Sequence, residues 1–481
     1  MFDTITVYGS SGRTSDNPID WLTTRDGLRT TTDECLRLSH QLTTLYSHRD
    51  PTPLRRAKHL KIFVSELFRL NSPNRTRYAS GIASFQRDLQ STVRRLRDML
   101  PTIIKMLGNL KETTLYLSSH EPDDFIRSLS EALLVPPHLD TITVNFLDQK
   151  ATRVLPIVSS PRLKNLKISW PIGEPDPFNP TMRGMPVNGS SSIYLAVMNT
   201  AGTLRRLELS AKRRLGYGGA FRMYRFTSLS LSQLEELVLE NVPLKLEGDV
   251  AAQMTGLRSL RIGGYDCFDC DPYVGIFTSL KNARKRLDTV GVDVVGEALV
   301  EYLGSYEGLE KLVLKLGQDA NDFCLKDICD GGLRYHGESL KVLEIDIPPS
   351  SDFRLAWFFP CWAARIRWLT SLENLKVATS LNLLSQFDAP ILVRAVLDIV
   401  AQMPTLQRVT IRHIHEESNA SDAEHRFGSH AIGHPPLQLV KPLRVTPSCL
   451  VALKNFRGQY QVVLSRGGGI YGSLRMIPFR E

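Results

Sequence analysis

The chain lacks any run of about 18–20 consecutive apolar residues, the length a membrane-crossing helix needs. Its start, Met1-Phe2-Asp3-Thr4-Ile5, has no basic stretch leading into an apolar core, so no secretory signal is expected there. Cysteine is scarce: Cys35, Cys267, Cys270, Cys324, Cys329, Cys361 and Cys449 are all that 481 residues contain. An odd, sparse set does not build a disulfide framework and suits a reducing compartment, so a cytoplasmic or nuclear protein is expected. Catalytic signatures are missing as well: there is no P-loop, no G-x-S-x-G elbow and no H-E-x-x-H.

Two motifs invite chemistry and do not support it. Cys267-Phe-Asp-Cys270 has the spacing of half a zinc site, but Cys324 and Cys329 are set wider apart than a usual second pair. Asp266, Asp269 and Asp271 beside the first pair also oppose thiolate formation. Gly467-Gly-Gly469-Ile-Tyr-Gly472 satisfies G-x-G-x-x-G, yet the nine residues after Gly472, Pro478 among them, hold neither a helix nor a second strand. His413, His415, His425, His430 and His434 match no ligand geometry, and the polar stretch around them reads as a loop. No enzyme, metal or cofactor is expected.

The charge balance is +9, and residues 1–110, with 17 Lys/Arg against 10 Asp/Glu, hold +7 of it. The remainder is close to neutral. A basic N-terminal region fits an acidic partner, a nucleic acid or simply a solvated face.

What the sequence does contain is a recurring frame, apolar-x-x-apolar-x-apolar. It reads Leu163-Lys-Asn-Leu166-Lys-Ile168, Leu204-Arg-Arg-Leu207-Glu-Leu209, Leu234-Glu-Glu-Leu237-Val-Leu239 and Leu257-Arg-Ser-Leu260-Arg-Ile262. It returns at Leu287–Val292, Leu309–Leu314, Leu340–Ile345, Leu372–Val377 and Leu406–Ile411, and upstream at Leu139–Val144. Thr114-Leu115-Tyr-Leu117 fits in part, Ala57–Ile62 fits with a small first residue, and Phe2–Val7 also matches. The central residues, from Leu115 to Val409, lie 22 to 41 positions apart, the rhythm of repeats of about 20–29 residues with insertions. The last two apolar positions alternate with polar ones, as a strand with one buried face requires. Between frames, helices are expected at Phe125–Leu134, Tyr273–Ala283, Val294–Leu303 and Ile391–Ala401. Alternating strand and helix predicts an α/β leucine-rich-repeat solenoid, with a curved parallel sheet on the concave side and helices and irregular segments on the convex side.

On these frames the chain resembles leucine-rich-repeat proteins, in particular the irregular kind found in fungal F-box-like proteins. The resemblance covers roughly 57–412. The Asn or Cys that regular repeats place after the strand is mostly missing, Asn241 being the nearest case, so a less regular coil is expected. An F-box is not visible; the first frame begins at Phe2, so such a module would have to precede Met1. The resemblance implies a ubiquitin-ligase substrate receptor whose partners include ligase adaptor subunits.

The organisation read from the chain is an N-terminal edge or cap over 1–56, the solenoid over 57–412, a polar His-rich loop over 413–444 and a C-terminal cap over 445–481. Residues 84–107 predict a long helix with Phe85, Leu89, Val93, Leu96 and Leu100 on one face and a second helix or a kink at Pro101. Loops are expected at 170–180, rich in Pro, at 210–226, rich in Arg and Gly, and at 348–362, where Trp357 and Trp362 stand.

Strand residues between the apolar positions should face outward, and they are the candidate partner-binding residues. They are Lys164, Lys167, Arg205, Arg206, Glu208, Glu235, Glu236, Arg258, Arg261, Glu310, Lys311, Lys341 and Glu344, with Asn165, Glu373, Lys376 and Arg408 beside them. Mixed signs suit recognition of a protein. The expected function is a protein-interaction scaffold. The alternative is a nucleic-acid-associated protein using the basic N-terminal region and the loop at 210–226.

Overall fold

In a strand, side chains alternate between faces, so the second and third apolar positions of each frame share one side. The first lies two residues before the strand and turns inward at the bend. A computed structural model places every described first position in the core: Ala57, Leu110, Leu139, Leu163, Leu204, Leu234, Leu257, Leu287, Leu309, Leu340, Leu372 and Leu406 are at most 3% exposed. Each buried leucine is worth about 2 kcal/mol. The structure describes residues 4–8, 56–63, 83–118, 121–147, 162–171, 196–212, 224–226, 231–242, 244–246, 250–263, 274–315, 326–347, 365–379 and 473–474, most of 403–413, and positions 37, 40, 43 and 44. All structural statements below concern these residues. The chain divides into two units, Met1–Leu257 and Arg258–Glu481.

In the first unit, strands β1 (Thr4–Tyr8), β2 (His59–Phe63), β3 (Glu112–Leu117), β4 (Thr141–Phe146), β5 (Asn165–Pro171) and β6 (Arg206–Lys212) pair in parallel in that order. A short pair, β7 (Tyr224–Phe226) and β9 (Leu244–Leu246), flanks β8 (Glu236–Glu240), which pairs with β6. The register stacks like on like: Ile142, Leu166, Leu207 and Leu237 form one buried column and Val144, Ile168, Leu209 and Leu239 the next.

The return segments include helix α1 (Ala83–Met106) and helix α2 (Asp123–Leu133). α1 buries Val93, Leu96, Leu100, Ile103 and Ile104, and α2 buries Phe125, Ile126, Leu129 and Leu133. The two pack side by side, and Arg97 pairs with Asp124 between them. A short helix, α3 (Val250–Gln253), follows β9 near the end of this unit.

In the second unit, β10 (Ser259–Gly263), β11 (Thr289–Val292), β12 (Lys311–Lys315), β13 (Val342–Ile347), β14 (Asn374–Thr379) and β15 (Arg408–His413) are again parallel neighbours. Here β16 (Ser473–Leu474) joins β15 antiparallel. Helices α4 (Val274–Asn282) and α5 (Glu297–Leu303) and a π-turn at Ile328–Gly332 form the returns. Behind the strands, Phe277, Tyr302, Tyr306 and His336 form a stack with ring centroids 5.5, 5.1 and 5.0 Å apart in turn. The Tyr302 hydroxyl donates to the Lys285 carbonyl at 3.0 Å and the Tyr306 hydroxyl to that of Leu287 at 3.1 Å. Burial raises the pKa of both phenols, so they remain donors. Each unit therefore has the architecture of a leucine-rich-repeat α/β solenoid.

A regular polar seam joins the repeats. The carbonyl just before each strand accepts two N–H groups from the start of the next, at 2.7–3.1 Å: Lys58, Lys111, Asp140, Lys164 and Arg205 in one unit, Arg258, Asp288, Glu310 and Lys341 in the other. The asparagine that regular repeats use is replaced by hydroxyls one residue before the first apolar position. Thr203 donates to the Leu163 carbonyl at 2.9 Å, Ser339 to that of Leu309 at 2.9 Å and Thr405 to that of Leu372 at 3.2 Å. Asn241 itself has a left-handed backbone, φ 55°, and its buried side-chain oxygen has no hydrogen-bond partner.

Several sequence expectations are corrected. The frame around Leu115 is displaced by two residues: Thr113 pairs with Leu60 and Ile142, and Leu115 with Ile62 and Val144. The repeat is Leu110-Lys-Glu-Thr113-Thr-Leu115, hidden because a threonine occupies a core column, its hydroxyl buried and unpaired. Pro101 neither starts a second helix nor ends the first. Losing one N–H there is outweighed by the buried residues on both sides of it. Trp170 and Pro171, expected to open the Pro-rich loop, belong to β5, Pro171 pairing with Lys212; 172–180 lie outside the described residues. The loop expected at 210–226 likewise overlaps β6 at one end and β7 at the other. The expected elements at 348–362 and 391–401 and residues 414–444 of the polar loop lie outside the described residues, as do Cys267, Cys270, Cys324 and the Gly467–Gly472 motif.

Candidate interaction face

With the apolar columns turned inward, the alternating residues form the outer face of each sheet. In the first unit the row at the strand starts runs Thr4, His59, Glu112, Thr141, Asn165, Arg206 and Glu236. The next outward row is Thr6, Lys61, Thr114, Thr143, Lys167, Glu208 and Val238. Charges on these rows meet across neighbouring strands, where opposite side chains stand within reach of each other. Lys167 and Arg206 both pair with Glu208, the latter at 3.3 Å, and Arg206 reaches Glu236 at 3.0 Å. Arg205 meets Glu235 at 3.5 Å and Lys164 approaches Asp140 at 4.0 Å. Neutral residues repeat the pattern: Asn165 donates to the Thr141 hydroxyl at 2.9 Å and Ser169 to Asn145 at 2.7 Å.

In the second unit Glu344 is the hub. Lys311 and Lys376, one strand to either side, donate to its two oxygens at 2.7 and 2.8 Å. Lys341 meets Glu310 at 3.1 Å. Burial raises the pKa of the Glu344 carboxyl, but hydrogen bonds and charge from the two lysines outweigh it and hold the group at about 2, against an ordinary 4.5. A depressed pKa stabilises the fold above pH 4.5, and that contribution is lost as pH falls from 4.5 toward 2. Glu344→Gln is therefore expected to lower stability at neutral pH by about 1–2 kcal/mol, after allowing for partial solvent screening. Urea unfolding of this unit should also lose part of its steepness with pH between 4.5 and 2 in the variant. An unchanged pH profile would remove Glu344 from that role.

Every candidate residue on this face lies where outward-facing strand or strand-start positions were expected. Lys164, Arg205, Arg206, Glu235, Arg258, Arg261, Glu310 and Lys341 are exposed; Lys167, Glu236, Lys311 and Glu344 are half-buried. Glu208 differs, being only 8% exposed between its two cations. The mixed signs expected on this face thus largely form lateral pairs. Sequence reasoning missed three residues of this face, Asp140 and the aromatic pair Phe63 and Tyr116. Asp140 holds the same frame position as Lys164 and Arg205, whereas Phe63 and Tyr116 stand one residue beyond the last apolar position of their frames, where the pattern says nothing. Among the described residues there is no cluster of metal-ligating side chains, and no helix is long and apolar enough to cross a membrane.

The fold and its face define the class: a leucine-rich-repeat-type solenoid with a charged sheet surface. No family model matches the chain, and no curated protein does. Among solved structures, a chain in the crystal structure of the yeast Rad7 and Elc1 complex is similar at 14% identity, over 82% of this chain and 87% of that one, with a TM-score of 0.36.

Proposed function

We propose that the protein is a non-catalytic scaffold that binds a protein partner through the outer faces of its sheets. The observation that supports this best is the lateral latching of the charged rows. Glu208, Glu236 and Glu344 are each held by cations from the same or the adjacent strand. Side chains already fixed in place lose less freedom on binding, and a fixed mixed-sign pattern discriminates between partners. Because Lys167, Arg205, Arg206, Lys311 and Lys376 already face carboxylates, this face offers a polyanion no continuous basic stripe. The finer reading is a substrate receptor of a cullin-type ubiquitin ligase, and it rests on the resemblance of the frames to F-box-type repeat proteins.

The test is affinity capture with the full chain, alongside Arg205→Glu, Lys341→Glu and a control reversal on the exposed side of α2, Arg127→Glu. Partner recovery should fall in the first two and persist in the third, and should change little between about 50 and 200 mM salt. Ligase adaptor subunits among the captured proteins would support the finer reading. Equal recovery with all variants, or a steep salt dependence, would overturn the scaffold reading.

A further inference from the structure

We propose that His336 is a proton-operated latch between the β12 and β13 repeats. Protonation turns its imidazole out of the core toward Glu307 and frees the outer-face charge pairs Glu310–Lys341 and Lys311–Glu344. This deepens the protein-binding reading and, where it concerns a partner, rests on it. The ring is fully buried and serves both turns that it joins. Its Nδ1 accepts the Leu309 N–H at 3.2 Å, and its Nε2 donates to the Leu303 carbonyl, 3.0 Å away. A proton added at Nδ1 sets one donor against another at that distance, inside a core that cannot solvate the charge. The closed arrangement therefore tolerates only the neutral ring.

The charged ring has a place to go. From the facing turn, Tyr306 stands with its ring centroid 5.0 Å from the imidazole, its hydroxyl held by the Leu287 carbonyl. That phenol stays protonated, and Asp288, one repeat back, acts on it rather than on the imidazole. Glu307, exposed on the same turn, is the carboxylate whose charge favours a protonated His336. On the histidine's own turn Arg334 and Glu338 are exposed and of opposite sign. Burial opposes the charged form in the closed state, so the open state gains as pH falls below 6.5.

The joint that His336 closes is the one the outer charges cross. Leu309 leads directly into Glu310 and Lys311, and the turn holding His336 leads through Leu340 into Lys341 and Glu344. Glu310 meets Lys341 at 3.1 Å and Lys311 meets Glu344 at 2.7 Å, each between these two repeats. The Lys376–Glu344 pair, at 2.8 Å, joins β14 to β13 instead, a joint His336 does not span. Opening therefore loosens the first two pairs and spares the third.

Brief reductive methylation of the full chain across about pH 7.5 to 5.5, read at each lysine by mass spectrometry, tests the latch. Labelling of Lys311 and Lys341, each relative to Lys376, should rise roughly threefold or more toward the lower pH. The ratio removes the reagent's own pH dependence. His336→Gln, neutral throughout and still a donor and an acceptor, should abolish the rise. Glu307→Gln should move it to lower pH, a shift that general acid loosening would not produce. Flat ratios in the natural chain, an equal rise in His336→Gln, or an unmoved midpoint in Glu307→Gln would overturn the proposal. Affinity capture at the two ends of the range should lose partner at the lower pH in the natural chain and keep it in His336→Gln. Opening with unchanged recovery refutes the regulatory role. If recovery ignores Arg205→Glu and Lys341→Glu while the lysine ratios still rise, the scaffold reading fails and the latch stands.

Discussion

Replacing His336 by alanine is expected to destabilise the Arg258–Glu481 unit by about 3–4 kcal/mol, through two stranded backbone groups and the loss of a buried ring. The imidazole is fully buried. Its Nδ1 accepts the Leu309 N–H at 3.2 Å, and its Nε2 lies 3.0 Å from the Leu303 carbonyl. Only the neutral ring with the proton on Nε2 satisfies both. The side chain thus bridges the end of α5 to the start of the β12 repeat and closes the aromatic stack against Tyr306. Hydrogen exchange across 303–315 is the measurement: protection should collapse in His336→Ala and be partly restored in His336→Gln, whose amide supplies a donor and an acceptor.

The same bridge sets a pH dependence. Burial lowers the His336 pKa below 6.5, against smaller raising effects of the Leu303 carbonyl and Glu307. The unfolded chain therefore binds the proton more readily, and stability from this residue is full above pH 6.5 and declines as pH falls below it. Protection across 303–315, corrected for intrinsic exchange, should decline below that pH in the natural chain and much less in His336→Gln. Identical profiles would place the sensitivity elsewhere.

The second large effect is expected at the neighbouring glycine. A Cβ on Gly337 would lie 2.8 Å from the Trp368 carbonyl oxygen and 3.1 Å from a carbon of its ring. The Gly337 carbonyl also accepts from the Ser371 N–H at 3.2 Å and the Thr370 hydroxyl at 3.3 Å, so the two turns cannot separate without losing the seam. Gly337→Ala should cost about 2–3 kcal/mol by overpacking. Gly308 supplies the contrast. Its φ is +110° with nothing near a modest side chain, so Gly308→Ala should cost only about 1 kcal/mol, from backbone strain. Denaturant midpoints of the two variants in parallel check the order, and a reversed order would mean that conformation, not contact, dominates at these turns.

The frames were legible because burial is a local demand repeated at each strand. Leu166, Leu207 and Leu237 recur at the same frame position, and the register aligns them. The helices α2, α4 and α5 were legible for the same reason, their apolar spacing matching one buried face. Thr113 defeated the pattern because a threonine in a core column looks like any surface threonine until its neighbours are known. That the candidate strand residues would stand on the outer side of the sheet was also readable, since alternation alone dictates it.

Which outward charges would cancel was not readable. Lys167 and Glu208 are 41 positions apart, and Glu344 meets lysines 33 positions before it and 32 after. Repeat lengths vary, so only the stacked register brings these partners to adjacent strands. The hydroxyl seam and the His336 bridge are of the same kind, each joining groups from successive turns of the coil. By itself, then, the sequence determined the repeat, the strand faces and the inward columns, because those follow from periodicity within one segment. The tertiary structure alone decided which charges pair and what holds one turn to the next, because those depend on distances between segments far apart in the chain.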